Sequence, residues 1–246
     1  MITRRADGEG DGDVALPPER RLQAHLARWV GRWPPPGPGV HVVGDTARRE
    51  PTWDGAIRPL QGVGDGTGTV IAVPPDAVGE VEAVIAGGAR DRDVGDRLGR
   101  ILGVGPARFG TGVFRSTTEV EPGLDELGTW FDEQTGELPG WLAPFNGPRL
   151  VAFDDDRRPV AGVGVKIHDR WGWELAVVTE EAGRGRGYAR RLVATAARRA
   201  LAEGAVPTYL HEASNVASAH VAEAVGFADR GWTVHGLWPG AEPPGG

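Results

Sequence analysis

The chain has 246 residues, a formal net charge of −7 and no cysteine, and this length suffices for one large domain or two small ones. The missing cysteine excludes disulfides and thiolate metal sites, and the negative charge argues against nucleic acid as the main partner. No apolar run approaches a membrane span and the N-terminus has no apolar signal core, so we expect a cytoplasmic protein without a membrane partner.

The first half of the chain shows a mixed α and β pattern. Residues 1–16 are acidic and glycine-rich, which predicts a disordered tail. The stretch "PPERRLQAHLARWVGRW" predicts a helix, with prolines at its start and apolar residues at helical spacing. "VHVVG", "GTVIAVPP" and "GTGVFRSTT" predict strands, while "DAVGEVEAVIAGG" and "DVGDRLGRILG" predict helices with an Asp start and a Gly stop. We expect residues 17–118 to form an N-terminal α+β domain of unknown role.

The segment 120–148 is rich in aromatic residues. It contains Trp130, Phe131, Trp141 and Phe145. Aromatic residues at this density line a core or an interface, and the core is the more common place for any one of them.

The second half has clearer signals. "RLVAFDDDRRPVAGVGVKI" predicts a hairpin with its turn at Asp154–Arg157, and "WGWELAVV" predicts the next strand. The helical spacing of apolar residues over 187–204 predicts a helix with one apolar face. "AVPTYLHEA" predicts a strand, and either Ser214 or Asn215 can cap the helix that follows. "FADRGWTVHGLW" supplies the closing strand or strands, and residues 239–246 are a tail.

The stretch "GRGRGYAR" lies between a predicted strand and a predicted helix. The first turn of a helix has free backbone N–H groups and partial positive charge, which favour a bound phosphate. Gly185 and Gly187 allow close approach to the backbone, and Arg184 and Arg186 can bond phosphate oxygens. A glycine turn with solvated arginines is the alternative. The stretch is neither a Walker loop nor a Gly-x-Gly-x-x-Gly motif, because residue 190 is Arg.

Two motifs carry a resemblance to a known family. Arg184–Ala189 fits Arg/Gln-x-x-Gly-x-Gly/Ala, the acyl-coenzyme A signature of the GNAT superfamily of N-acetyltransferases. Downstream, "NVASAHVAEAVGF" is similar to that superfamily's second conserved block, in the correct order and spacing. The chain resembles the superfamily over about residues 148–238. The resemblance implies an α+β fold over 119–238, a GNAT-type mixed, mostly antiparallel sheet flanked by helices, preceded by the smaller α+β domain.

The resemblance also implies acetyl-CoA as acyl donor. Backbone amides of Val177, Val178 and Thr179 would hold the pantetheine arm, although an ordinary buried strand would show the same pattern. Asn215 matches the asparagine that contacts coenzyme A, and it can equally be a plain helix cap. The pyrophosphate would lie on the loop and first helical turn, that is on Arg184, Gly185, Arg186, Gly187, Tyr188, Ala189 and Arg190.

Acetyl transfer to an amine needs a base, because a primary amine is protonated at neutral pH. Glu174 is the first catalytic candidate, near the position where several GNAT enzymes carry a glutamate; a solvated glutamate at a strand end is the alternative. Glu212, on the next strand, is the second candidate. His211 and His220 can titrate near neutrality, but lone histidines are more often structural. Ala222 stands where many GNAT enzymes have a tyrosine as general acid, so the acid is unassigned.

The resemblance implies an N-acetyltransferase that moves an acetyl group to a primary amine, which we expect to be on a small molecule. The alternatives are a protein N-terminal or lysine acetyltransferase, and a catalytically dead module that binds acyl-coenzyme A or a nucleotide phosphate. We expect an acceptor cleft between the two halves, walled by Trp171, Trp173 and the aromatic residues of 130–145. The histidines and carboxylates show no metal spacing, so we expect no metal. The sequence leaves the oligomeric state open.

Overall fold

The structure is a computed structural model that describes residues 16–87, 91–132 and 138–239. The two predicted tails, 1–16 and 239–246, lie outside the described residues except for residues 16 and 239. The helices longer than one turn are α1 (Pro18–Trp29), α2 (Val78–Ala86), α3 (Asp91–Ile101), α4 (Tyr188–Ala202) and α5 (Val216–Val225). The strands are β1 (Val40–Gly44), β2 (Gln61–Gly64), β3 (Thr69–Val73), β4 (Ala107–Ser116), β5 (Thr129–Phe131), β6 (Arg149–Phe153), β7 (Pro159–Ile167), β8 (Gly172–Thr179), β9 (Val206–His211) and β10 (Thr233–Pro239).

The ten strands form one sheet in the order β1-β3-β2-β10-β4-β9-β8-β7-β6-β5. Parallel pairing joins β1 to β3 and β8 to β9. The other neighbouring strands of this sheet pair antiparallel. The predicted α+β class, with a mixed and mostly antiparallel sheet flanked by helices, is confirmed.

Strands from both halves of the chain alternate in the middle of the sheet. The closing strand β10 pairs with β2 on one side and with β4 on the other. Strand β4 then pairs with β9, so its ten residues connect the N-terminal strands to the C-terminal ones. The predicted N-terminal and C-terminal portions therefore share one hydrogen-bonded sheet, and the division at residue 118 stays a prediction.

Local sequence signals account for most of these elements. The hairpin turn falls at Asp154–Arg157, where the Arg157 N–H donates to the Asp154 carbonyl at 3.0 Å and Arg157 has φ 62°. Helix α4 ends two residues before Gly204, whose φ is 80°, as expected for a glycine just beyond a helix. Strands β2 and β5 were not predicted. Two of the four residues of β2 are glycine, so this strand has almost no propensity signal of its own.

Helices cover both faces of the sheet. Helices α4 and α5 pack on one face around buried residues such as Leu192 and Phe227. Helix α1 packs through Leu26 against a second cluster that includes Phe114. Alternate residues of β3 enter the α1 cluster and the cluster formed by α2 and α3, and strand alternation therefore places these helices on opposite faces.

Candidate functional site

Strands β8 and β9 separate partway along their length. Their parallel pairing runs from Gly172↔Val206 to Glu174↔Thr208 and stops there. Beyond this point β8 pairs with β7 alone, as far as Thr179, and β9 pairs with β4 alone. The second half of β8 therefore has one edge without a strand partner. Val177 and Thr179 are half-buried there and Val178 is exposed, so the backbone predicted to hold pantetheine borders an open gap.

The glycine loop stands at the end of this gap, between β8 and α4. Gly185 and Gly187 have φ of 72° and 76°, in the left-handed region that favours glycine. Gly187 is the N-cap of α4, and no side chain caps the helix there. The first N–H groups of a 15-residue helix are thus open to a ligand, and no Cβ of these two glycines obstructs it.

Three exposed arginines surround this helix start. Arg184, Arg186 and Arg190 form no ion pair with any part of the chain that the structure describes. The guanidinium of Arg186 lies 5.2 Å from the centre of the Tyr188 ring. Open backbone donors and cations without acidic partners are the groups that a pyrophosphate needs, so the residues present fit the phosphates of coenzyme A.

Asn215 is the N-cap of α5. Its Oδ1 accepts a hydrogen bond from the backbone N–H of Ser218 at 3.0 Å, so the side chain caps the helix as one of the two sequence interpretations predicts. The residue is exposed, which leaves its amide nitrogen open to a ligand. The contact with coenzyme A stays a prediction.

A cavity of about 910 Å³ lies against the sheet face opposite α4. Leu175 of β8 packs in the α4 cluster, and alternation points its neighbour Glu174 to the cavity side. The roof comes from α1 and from the segment between β1 and β2. The aromatic and charged side chains lining the cavity include Trp29, Trp53, Trp238, Lys166, His168 and Glu174.

The aromatic residues predicted to wall the acceptor site do not line this cavity, so their role at an acceptor site stays a prediction. Trp173 is buried in the α4 cluster on the other face, and Trp130 packs beneath Arg199 of α4 at 4.4 Å. Trp141 donates its indole N–H to Glu180 at 2.8 Å. Phe145 approaches the cavity only indirectly, because it stacks on Trp53 at 5.8 Å.

Glu174 is almost fully buried, with 6 % of its surface exposed. Lys166 Nζ donates to Glu174 Oε1 across the β7–β8 hairpin, and His168 Nε2 lies 2.9 Å from Glu174 Oε2. Burial alone would raise the pKa of the Glu174 carboxyl, but the Lys166 charge and the His168 hydrogen bond hold it at about 2. The carboxylate is ionised at neutral pH and has both oxygens engaged.

The ionised state of Glu174 fixes the role of the His168 ring. A carboxylate without a proton can only accept, so His168 Nε2 carries the hydrogen of the 2.9 Å bond. In the neutral ring the other nitrogen, Nδ1, then holds the lone pair, and within the described residues it has no hydrogen-bond partner. Trp29 and His25 of α1 flank the ring, with centroids 5.0 and 6.0 Å away.

The other histidine and glutamate candidates differ from this pair. Arg115 Nε donates to His211 Nε2 at 3.0 Å, and His211 Nδ1 donates to the Glu212 carbonyl at 2.9 Å. Both nitrogens of His211 are therefore used in structural bonds. The Glu212 side chain is exposed and borders the cavity, whereas His220 is exposed on α5 and does not border it.

Ala222 stands where the resemblance to the GNAT superfamily implies a tyrosine as general acid, and its methyl group is buried. Ala222 has no exposed surface. Tyr209, on β9 just beyond the last pairing with β8, bonds through its hydroxyl to Ser218 Oγ at 2.9 Å. Burial raises the pKa of Tyr209 above its ordinary value, with the Ser218 bond and the Arg115 charge acting against the rise.

Sequence reasoning missed Lys166 and His168. The available signal was the alternation in "KIHDRWGWE", which puts Lys166, His168 and, after the turn, Glu174 on one face of a hairpin. Lys166 of β7 and His168 of the turn that follows surround the carboxylate that the sequence predicts to act alone.

The described residues contain neither a metal-binding cluster nor a helix that could span a membrane. Among residues 16–87, 91–132 and 138–239, no three His, Asp or Glu side chains come together as a metal ion would require. No helix in those ranges combines the length and the apolar character needed to cross a membrane.

Residues 116–227 match the model of the acetyltransferase (GNAT) family. No curated protein sequence matches the chain. Among solved structures, a GNAT-family protein from Novosphingobium aromaticivorans is 21% identical with TM-score 0.44, over 55% of this chain and 66% of its own. A GNAT acetyltransferase from Colwellia psychrerythraea is 14% identical with TM-score 0.41, over 57% and 61%. A GCN5-related N-acetyltransferase-like protein from Streptococcus suis is 18% identical with TM-score 0.41, over 69% and 71%. The chain thus spans less than two thirds of the first two structures.

Proposed function

We propose that this chain, in which residues 116–227 form an acetyltransferase domain of the GNAT family, moves an acetyl group from acetyl-CoA to a primary amine of a small molecule. The observation that carries the proposal is the separation of β8 from β9 beyond Glu174, with an uncapped helix start at one end of the gap and a cavity beside it. A donor on the gap and an acceptor in the cavity would meet at the point where the strands part.

On the donor side, the gap edge of β8 and the start of α4 are the proposed binding groups. Val177–Thr179 would bond the pantetheine arm through the backbone, and the N–H groups after Gly187 would bond the pyrophosphate. When bound, acetyl-CoA supplies an acetyl group that is already activated as a thioester. The protein's part is to hold that group still and to remove a proton from the amine.

On the acceptor side, the cavity supports a small-molecule substrate. Its volume of about 910 Å³ is near the upper end for small-ligand pockets, roughly 300–1,000 Å³. The segment between β1 and β2 covers it, with Trp53 held between Phe145 and the Lys166 ammonium. A cavity of this volume, lined by residues of α1, of the segment between β1 and β2, and of β4, β8, β9 and β10, suits a compact acceptor.

The proton of the amine goes, in this proposal, to the Glu174–His168 pair. Imidazole is the side chain whose ordinary pKa lies closest to neutrality, which suits a general base. Glu174 holds the His168 ring by its Nε2–H and stabilises the charge that the ring gains when Nδ1 takes the proton. Lys166 keeps Glu174 ionised, so that carboxylate acts as a fixed charge.

Release of free thiol from acetyl-CoA in a panel of amines tests the function. We expect release with at least one small-molecule amine and none with a panel of peptide N-termini and lysines. If peptides alone serve as acceptors, the protein-acetyltransferase alternative replaces this one. If coenzyme A binds and no amine causes release, a non-catalytic binding module replaces it, an outcome that the buried Ala222 would suit.

Charge reversal at the proposed phosphate site should weaken cofactor binding. In Arg186→Glu, one charged donor is lost and a like charge faces the pyrophosphate. A hydrogen bond to a charged group contributes about 1.5–3 kcal/mol, so we expect the Kd for acetyl-CoA to rise about 10–100-fold by calorimetry. The matched control is Arg32→Glu, an exposed arginine just after α1, which should bind acetyl-CoA like the wild type. Equal affinity of the Arg186 variant and this control would place the phosphates elsewhere.

A further inference from the structure

The cavity carries more positive than negative side chains. Within the part of the chain that the structure describes, most of its cations already have a partner. Arg58 donates through two nitrogens to both oxygens of Asp54, at 2.6 Å each, and Lys166 donates to Glu174. Arg108 is exposed and lies over an indole ring at 5.5 Å. The cationic side chains that line the cavity are Arg48, Arg58, Arg108 and Lys166.

Arg48 is the exception, because it is buried and lacks a hydrogen-bond partner. Its side chain is 7 % exposed, and its Nε lies 3.5 Å from Asp45 Oδ2; both atoms are buried and neither has a hydrogen-bond partner, so the two form an ion pair only. Asp45 is held by its other oxygen, which accepts from the Ala47 N–H at 3.0 Å. Burial lowers the pKa of the Arg48 guanidinium, with Asp45 opposing the effect.

A guanidinium has five N–H groups, and a buried one is normally fully bonded. Nothing among the described residues accepts a hydrogen bond from Arg48, although its neighbour Arg49 reaches Asp76 from an exposed position. A buried arginine with open donors at a cavity wall suits a planar or multi-oxygen anion, because the two groups can form parallel hydrogen bonds.

We propose that Arg48 binds an anionic group of the acceptor, a carboxylate or a phosphate, so that the substrate is an amine that also carries an acid. This inference rests on the proposed function. Arg48 follows the edge strand β1, while the His168–Glu174 pair lies on the β7–β8 hairpin, and both line one cavity. The acid and the acetylated nitrogen therefore belong to the two ends of one molecule.

The test uses amines of increasing length, each with and without its acid. The carboxylate series is glycine, β-alanine, γ-aminobutyrate and ε-aminocaproate, each paired with its amide. The phosphate pair is phosphoethanolamine and ethanolamine. Thiol release gives kcat/KM for the full chain with acetyl-CoA, and ligand-detected NMR gives binding of the same compounds without turnover.

We expect one acid to exceed its uncharged partner by about 10–100-fold in kcat/KM and in affinity, the range of a charged hydrogen bond. Arg48→Met should abolish that preference, so that the acid and its uncharged partner react and bind alike. Arg49→Met is the matched control and should keep the preference. Arg48→Lys keeps the buried positive charge but lacks the planar N–H donors that form parallel hydrogen bonds. We therefore expect this variant to show a reduced preference for the acid.

The inference and the proposed function can fail separately. If no compound is acetylated but an acid still binds better than its amide through Arg48, the function fails and the anion site stands. If amides react and bind as well as acids in the wild type, or if no compound binds, the anion site is overturned. A preference that is undiminished in Arg48→Met also overturns it.

Discussion

His168→Gln should lower kcat by about 10²–10⁴-fold, the usual contribution of a general base. The variant removes the nitrogen that we propose takes the proton of the amine. It leaves the donor side intact, because Val177–Thr179 and the start of α4 lie beyond the end of the β8–β9 pairing. The Kd for acetyl-CoA, measured by calorimetry, should therefore match that of the wild type.

The pH dependence separates a catalytic role from a structural one. The loss in His168→Gln should shrink as pH rises, since more of the amine is already unprotonated and needs no base. The charged or titratable groups that face the ring are Glu174 directly, Lys166 through Glu174, and His25 of α1 at 6.0 Å. A variant that is merely misfolded would lose activity equally at every pH. His41→Gln, a histidine of the edge strand β1, is the control and should keep full activity.

Glu174→Gln distinguishes the two members of the pair. Glutamine can still accept the His168 Nε2 hydrogen bond, although it no longer carries charge. If His168 takes the proton, Glu174→Gln should lose less kcat than His168→Gln. If Glu174 is itself the base, as the sequence predicts, the order reverses and His168→Gln keeps most of the activity. The latter result would remove His168 from the mechanism.

The sequence predicts the geometry of the loop before α4 and of the α5 cap well because its signals are local. The glycines and arginines of "GRGRGYAR" adjoin one another along the chain, and the need for glycine at residues 185 and 187 follows from the turn that they make. The same holds for Asn215, since a cap is defined by the helix that it begins. Short segments with strict conformational demands leave a direct trace in the residue types.

The lining of the cavity could not be predicted because its contacts are long-range. Trp53 meets Lys166 at 5.2 Å, although more than a hundred residues separate them in the chain. The loop that carries Trp53 and Arg48 has no periodicity, and its position depends on where β10 enters between β2 and β4. The sequence therefore points to Trp171 and Trp173, together with the aromatic residues of 130–145, as walls of the acceptor site. Trp171 and Trp173 lie near Glu174 in the sequence, but their side chains do not line the cavity.

Gly172 lies where the β7–β8 hairpin contacts α1, against the ring of His25. Asp169 Oδ1 accepts from the backbone N–H groups of Trp171 and Gly172, at 2.8 and 2.9 Å, and its Oδ2 lies 2.9 Å from His25 Nδ1. The His25 ring is fully buried and is pressed against Gly172. A Cβ at residue 172 would lie 2.0 Å from His25 Nδ1, far inside van der Waals contact.

Gly172→Ala should therefore destabilise the protein, although the φ of Gly172 is not in the left-handed region and alanine could adopt the backbone. Overpacking of a full core costs about 1–3 kcal/mol, and a rigid ring at this distance puts the expected cost at the upper end. A change of 1 kcal/mol moves the Tm of a chain this size by about 2–4 °C, so the Tm should fall by about 5–10 °C. Gly79→Ala, in α2 with nothing within 4 Å of the added Cβ, is the control and should leave the Tm equal or slightly higher.

The double variant, His25→Ala with Gly172→Ala, tests the cause. His25→Ala alone should destabilise by leaving Asp169 without its partner, but it also empties the space that a methyl group at residue 172 needs. We therefore expect the double variant to be more stable than the sum of the two single losses, with a coupling energy of about 0.5–3 kcal/mol. Because His25 stacks on Trp29 at 5.5 Å, a displaced His25 ring should also disturb the cavity wall beside His168, and Gly172→Ala should lose acceptor turnover while it retains acetyl-CoA affinity. Additive losses, or an unchanged Tm in Gly172→Ala, would show that α1 does not depend on this contact.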